Sequence, residues 1–200
     1  MRLFELFEKK LSDAAYYPID NVDDVIIYFP KQQEQYNDKN ELLGIRLALE
    51  YAIENFDVNN AHIMCYGNNL YGKEIENIWN KYPNVHIELA VCSPESPIIK
   101  EKDREILKKK IKSAEKNDNT KIYVSEIPPT LRSCILYRNE EPVLCCVQYY
   151  VMEFDNQRRP SFVGRRTPCV IACYNGKAFP LNQYVEFCEL EFKRLKKSCL

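Results

Sequence analysis

The side chains best suited to chemistry here are arginines. Arg132, Arg138, Arg158, Arg159, Arg165 and Arg166, with Lys177, crowd one stretch, whereas the 200-residue chain as a whole holds 28 Lys and Arg against 29 Asp and Glu, a net charge of −1. A planar guanidinium grips a phosphate or carboxylate through two parallel N–H···O bonds, so an anion site belongs in this stretch. Arg132, with Arg165 and Arg166 from a later strand, would clamp a phosphate. Because Arg165 and Arg166 point to opposite faces of a strand, at most one of them joins Arg132. The competing reading makes these arginines surface cations balancing Glu140, Glu141, Glu153 and Asp155. Tyr149, Tyr150 and Phe154 offer a stacking surface for a base, although aromatic strand residues more often fill a core.

Nucleophiles and metal ligands fare worse. The chain has nine Cys and two His, His62 and His86, with no C-x-x-C pair, so a metal site is not expected. His62 and Cys65 lie an odd number of residues apart in one strand and point to opposite faces. His86 and Cys92 are six residues apart, on the order of 20 Å along a strand, too far for proton transfer. Ser93, Ser96, Ser125, Ser133 and Ser161 lack a nucleophile-elbow context, and phosphate-binding Gly-rich patterns are absent.

These residues must be positioned by strands and helices. Leu131–Tyr137, Val143–Phe154 and Phe162–Tyr174 read as strands broken at Asn139-Glu140-Glu141, a hairpin, and at Asp155–Ser161, a longer loop. Upstream, Leu3, Phe4, Phe7, Leu11 and Ala14 make an amphipathic helix ending before Pro18, suited to packing or to a dimer contact. Strands at Val22–Phe29, Ala61–Tyr66, Val85–Cys92 and Thr120–Ser125 alternate with helices at Asn40–Phe56, Leu70–Tyr82 and Lys100–Lys116. That alternation predicts parallel βαβ units. From Pro128 strand follows strand, until Asn182–Lys197 supplies a last helix. The expected fold is therefore α/β, one mixed sheet with parallel βαβ units in the N-terminal half, then antiparallel strands and a C-terminal helix. Residues 1–18 form the opening helix and 19–200 a single domain.

Ligands of open α/β sheets sit beyond the carboxyl ends of the strands. Three loops qualify: Pro30–Asn40, Gly67-Asn68-Asn69 and Ser93-Pro94-Glu95-Ser96-Pro97. Gly67, Asn68 and Asn69 follow a strand and open a helix, where free N–H groups meet an anion or are simply capped.

The net charge argues against non-specific coating of nucleic acid but leaves room for a local basic groove. The charged start Met1–Lys10 does not read as a signal peptide, and no run is long enough to span a membrane. The expectation is a cytoplasmic chain with reduced thiols, used as small buried hydrophobes.

The order of elements, the strand and loop Glu88–Ser96, the run Leu131–Arg138 and the final Phe187–Leu195 resemble a single phospholipase-D-like domain, nearest the degenerate copies in bacterial sensor and accessory proteins. The resemblance spans roughly residues 20 to 198. Active members use H-x-K and an Asp, the His as nucleophile and the Lys on the phosphate. Here Thr130-Leu131-Arg132 occupies that place, so the resemblance puts Thr130 at the nucleophile position and Arg132 at the phosphate-holding one, with Tyr137 five residues on. Nucleophile and Asp are both missing.

Three classes of function follow. The first is a non-catalytic binding or sensing domain, in bacterial regulation or phage defence, for an anionic small molecule such as a nucleotide, or for a nucleic-acid end. Its ligand contacts are Arg132, Arg165, Arg166, Thr130, Gly67, Asn68, Asn69, Ser93, Glu95 and Tyr149, with no cofactor. The second is a nuclease or nucleotide hydrolase with an atypical site. The third is a structural protein that forms a homodimer, or binds a protein partner, through the first helix and the sheet edge.

Overall fold

The β-rich runs in the middle of the sequence also make the middle of the sheet. The computed structural model describes residues 3–10, 15–18, 25–29, 43–65, 79–154, 160–163, 167–174 and 181–199. In chain order the strands are β1 (Ala15–Pro18), β2 (Val25–Phe29), β3 (Asn60–Cys65), β4 (His86–Cys92), β5 (Thr120–Ser125), β6 (Leu131–Arg138), β7 (Glu141–Tyr149), β8 (Val151–Phe154), β9 (Pro160–Val163) and β10 (Cys169–Cys173). The helices are α1 (Leu3–Lys10), α2 (Leu43–Asn55), α3 (Glu101–Ala114) and α4 (Leu181–Lys197). Eight strands form one sheet in the order β1-β2-β10-β7-β6-β3-β4-β5, and β8 and β9 pair separately.

The fold is α/β with a mixed sheet and a C-terminal helix, as the sequence predicts, but fewer strand pairs are parallel than the alternation suggests. Among the described strands only β3–β4 and β4–β5 are parallel neighbours. The strand before α2, β2, pairs instead with β1 and β10, both antiparallel. Following the antiparallel pairs from β2 to β3, the two strands point the same way, yet β10, β7 and β6 lie between them. Periodicity reports that a strand follows a helix; it does not report which strand lies alongside.

The opening helix is described over Leu3–Lys10, and the expected positions Leu11 and Ala14 lie outside the described residues. Ala15–Pro18 is not helical but an edge strand on β2. Proline has no N–H for a ladder, and an edge strand tolerates that loss. Leu3 and Phe7 are fully buried, so these positions of α1 pack into the core. The run 143–154 divides at Tyr150 and the run 162–174 divides before Cys169, because β8 and β9 leave the main sheet as a ribbon of their own. Of the helix expected over 70–82, residues 79–82 are described, and 79–81 are helical. The loop 30–40 lies outside the described residues.

Local chemistry explains the central hairpin. Asn139 and Glu140 both have positive φ, 48° and 73°, the pattern of a two-residue turn whose twist matches its strands. Asn59 grips the turn, its Nδ2 donating to Asn139 Oδ1 at 2.8 Å while Asn139 N donates to Asn59 Oδ1 at 3.1 Å.

Both faces of the sheet are covered. One core joins α1, α2 and α3 to Ala61, Ile63, Cys65, Cys134, Leu136, Leu144 and Cys146. The other packs Leu181, Val185, Cys188, Phe192 and Leu195 of α4 on Met64, Ala90, Ile135, Tyr137, Cys145 and Val147. Those α4 positions recur at helical spacing, one apolar stripe of a helix whose remainder is polar. All nine cysteines are free thiols, and eight are buried.

Candidate functional site

Because β6 runs against β3, it begins where β3 ends. The register sets Met64 opposite Ser133, so Arg132 stands beside the end of β3 at the carboxyl rim of the parallel strands. Alternation with Cys134 and Leu136 turns Arg132 to the face covered by α2 and α3. It is only 6% exposed. Its guanidinium carbon lies 5.9 Å from the centre of the Tyr150 ring, within cation–π range.

The field of this cation reaches Cys65. Burial pushes the Cys65 thiol up to about 12, against the positive charges of Arg132 and of Lys110 from α3. Two cations thus converge on the end of β3, where the neighbouring sulfur stays protonated and is a poor nucleophile.

Opposite Arg132 on β7 stands Gln148, buried to 1% exposure. Its Nε2 donates to Thr167 O at 2.6 Å, and Thr167 Oγ1 donates to Tyr149 O at 2.7 Å. These bonds fasten the end of β7 to the chain entering β10, where the ribbon of β8 and β9 departs. Gln148 Oε1 is buried with no hydrogen-bond partner among the described residues.

The other predicted ligand contacts disperse. Ser93 and Glu95 stand at the same rim, in a loop closed by its own bonds: Ser93 N donates to Ser125 O at 2.7 Å, Ser96 N to Ser93 O at 3.0 Å, and Glu95 N to Ser93 Oγ at 3.2 Å. Glu95 is paired with Lys108 at 2.8 Å, which holds its carboxyl below the ordinary value. Thr130 turns to α4, its N–H and Oγ1 donating to Glu191 Oε1 at 2.8 and 3.0 Å. Arg194 completes this clasp, donating to both Glu191 oxygens at 2.6 Å and to Pro128 O at 2.9 Å. Tyr149, half exposed, lies 6.3 Å from Phe187 of α4. The sheet therefore separates Thr130 and Tyr149 from Arg132. Gly67, Asn68, Asn69, Arg165 and Arg166 lie outside the described residues.

A second polar cluster, beneath α4, escaped the sequence reading. His62 Nδ1 lies 2.6 Å from Glu189 Oε1, and Tyr137 Oη donates to the same oxygen at 2.7 Å. The His62 ring stacks on Phe192, 4.9 Å between centres and 5° from parallel. Burial works to raise the Glu189 carboxyl, but the bonds from His62 and Tyr137 outweigh it and hold the group below its ordinary value. Nearby, Lys196 donates to Glu88 at 2.6 Å and lies over the Tyr123 ring at 4.4 Å. Glu189 follows His62 by 127 positions, and only alternation, which puts His62 on the polar side of its strand, hinted at a partner.

At the opposite, amino end of the parallel strands lies an open cleft of about 720 Å³, lined by Asn59, Asn60, His86, Glu88, Asn119 and Glu140 among others. It contains none of the predicted ligand contacts. No group of His, Cys, Asp and Glu suited to a metal occurs among the described residues, and no helix among them is long and apolar enough to cross a membrane.

No known protein family matches the chain, and no curated protein matches it. Among solved structures it is similar to TrmBL2, an archaeal chromatin protein with a novel mode of DNA binding, at a TM-score of 0.49 and 13% identity. The alignment covers 98% of this chain and 60% of that one.

Proposed function

We propose that the chain is a non-catalytic binding or sensing domain for a phosphorylated ligand, a nucleotide or a nucleic-acid end, with Arg132 as the cation that meets the phosphate. The observation that carries this reading is the burial of Arg132 at the carboxyl rim of parallel strands, with Lys110 sharing its field and Tyr150 beside it. In a low-dielectric setting a guanidinium attracts an anion far more strongly than a surface cation does. The aromatic ring supplies a face on which a base can stack. The non-catalytic half of the reading is supported by the neighbouring thiol, which is held protonated, and by the distance of both His from this face: His62 lies under α4 and His86 lines the cleft at the other end.

The test is a thermal-shift screen with nucleotides, cyclic oligonucleotides and short DNA and RNA, on the wild type and on Arg132→Lys and Arg132→Gln. A ligand at about 100 times its dissociation constant adds roughly 2.7 kcal/mol, or about 5 to 10 °C for a chain of this size. The expected result is a shift in the wild type that is lost with Gln and reduced with Lys, which keeps the charge but not the fork. No shift in the wild type with any anion sinks the proposal, and turnover of a stabilising ligand overturns its non-catalytic half.

A further inference from the structure

The outer face of α4 carries a surface that the anion site does not use. Leu190 is 63% exposed, Phe187 47% and, beside Phe187, Tyr149 52%. Leu190 sits near the midpoint of the helix, in a solvent-facing stripe running Gln183, Glu186, Phe187, Leu190, Lys193 and Lys197.

The charges of this stripe differ from those on its flanks. Glu189, Glu191, Arg194 and Lys196 are each committed within the chain, to His62 and Tyr137, to Thr130 and Arg194, to Glu191, and to Glu88. Exposed Glu186, Lys193 and Lys197 make no ion pair among the described residues, although the Lys193 charge reaches Glu189 one turn back. An apolar centre flanked by exposed charges, acid toward one end and base toward the other, is complementary to itself when reversed.

We propose that two copies of this chain pair through α4, helix against helix and antiparallel, with Leu190 meeting its counterpart on the two-fold axis. The spacing fits. Glu186 lies four residues before Leu190 and Lys193 three after, about 6 and 4.5 Å of rise, so reversal sets Glu186 of one copy across from Lys193 of the other. Gln183 and Lys197 are each seven residues from Leu190 and come together in the same way. Phe187 then lies under the Lys193 stem, an apolar contact with a cation over the ring. A parallel pair would instead oppose Glu186 to Glu186 and Lys193 to Lys193, and would align the two helix dipoles unfavourably. The contact is isologous and closes on itself, as a two-fold dimer requires. One helix pair buries less than the roughly 1,200 Å² of a stable complex, so the dimer forms and dissociates with concentration.

Sedimentation equilibrium of the full chain from about 1 µM to about 1 mM spans the affinities such a contact reaches. The expected result is a monomer–dimer equilibrium that Leu190→Arg abolishes without changing the melting temperature of the monomer. Glu186→Lys should weaken it at least about tenfold, and Glu186→Lys with Lys193→Glu should restore it. A wild type that stays monomeric throughout, or a dimer indifferent to Leu190→Arg, overturns the proposal. A dimer that the double charge reversal fails to restore overturns the antiparallel arrangement.

Discussion

Replacing Glu189 with Leu tests whether the polar cluster beneath α4 holds that helix to the sheet. The substitution keeps side-chain bulk but removes the one oxygen that accepts from both His62 and Tyr137. Each bond to a carboxylate is worth about 1.5 to 3 kcal/mol, and a buried donor left unsatisfied costs a similar amount. Tyr137 is 7% exposed and loses its only acceptor among the described residues, whereas His62 and Glu189 each keep 19% of their side-chain surface in water, which softens the loss. The expected destabilisation is therefore about 2 to 3 kcal/mol, less than two full bonds. Glu189→Gln retains a neutral acceptor and should cost about 1 kcal/mol. Urea denaturation at neutral pH measures both, and combining Glu189→Leu with Tyr137→Phe should show a coupling of about 1 kcal/mol. The pH dependence has a definite sign. The folded-state pKa of Glu189 is depressed below its ordinary 4.5, so its contribution is complete above that value and disappears as pH falls through the lower, folded one. The gap between wild type and Glu189→Leu should therefore narrow as the pH falls below 4.5. A Leu variant within about 0.5 kcal/mol of wild type at pH 7, or a gap that does not narrow in acid, would refute the reasoning.

Other expectations follow from the same geometry. Glu191→Ala releases the Thr130 amide and hydroxyl and the Arg194 guanidinium together, and should cost about 1 to 2 kcal/mol in urea melts. Glu140→Gly should stabilise by about 0.5 to 1 kcal/mol, because Glu140 sits at φ 73°, where a side chain is penalised and glycine is not. Native thiol titration at mildly alkaline pH should label Cys199 at most, since the other eight cysteines are buried; denatured protein should react at all nine. Phe192→Ala removes a ring that is 1% exposed and supports His62, and should cost about 3 to 5 kcal/mol.

The two halves of the chain were not equally legible. The limits of β5 and the presence of α2, α3, β6 and α4 follow from periodicity alone, because amphipathic stripes and β-branched runs are local properties. Strand neighbours are not local: nothing near Val25–Phe29 announces that its partners are Ala15–Pro18 and Cys169–Ala172. The division at Tyr150 was equally hidden, since Val143–Phe154 is rich in strand formers throughout and the departure of the ribbon coincides with two bonds to Thr167.

The sequence by itself determined the class of the fold and the buried thiols, both of which rest on residue type and alternation. Tertiary structure alone decided which residues share a face. It set Gln148 and Lys110 on the side of Arg132, turned Thr130 and Tyr149 to α4, and joined His62 to Glu189. The physical reason is that strand register and helix docking are fixed by burial summed over the whole sheet, and clusters assembled from several strands and helices have no signature in any one of them.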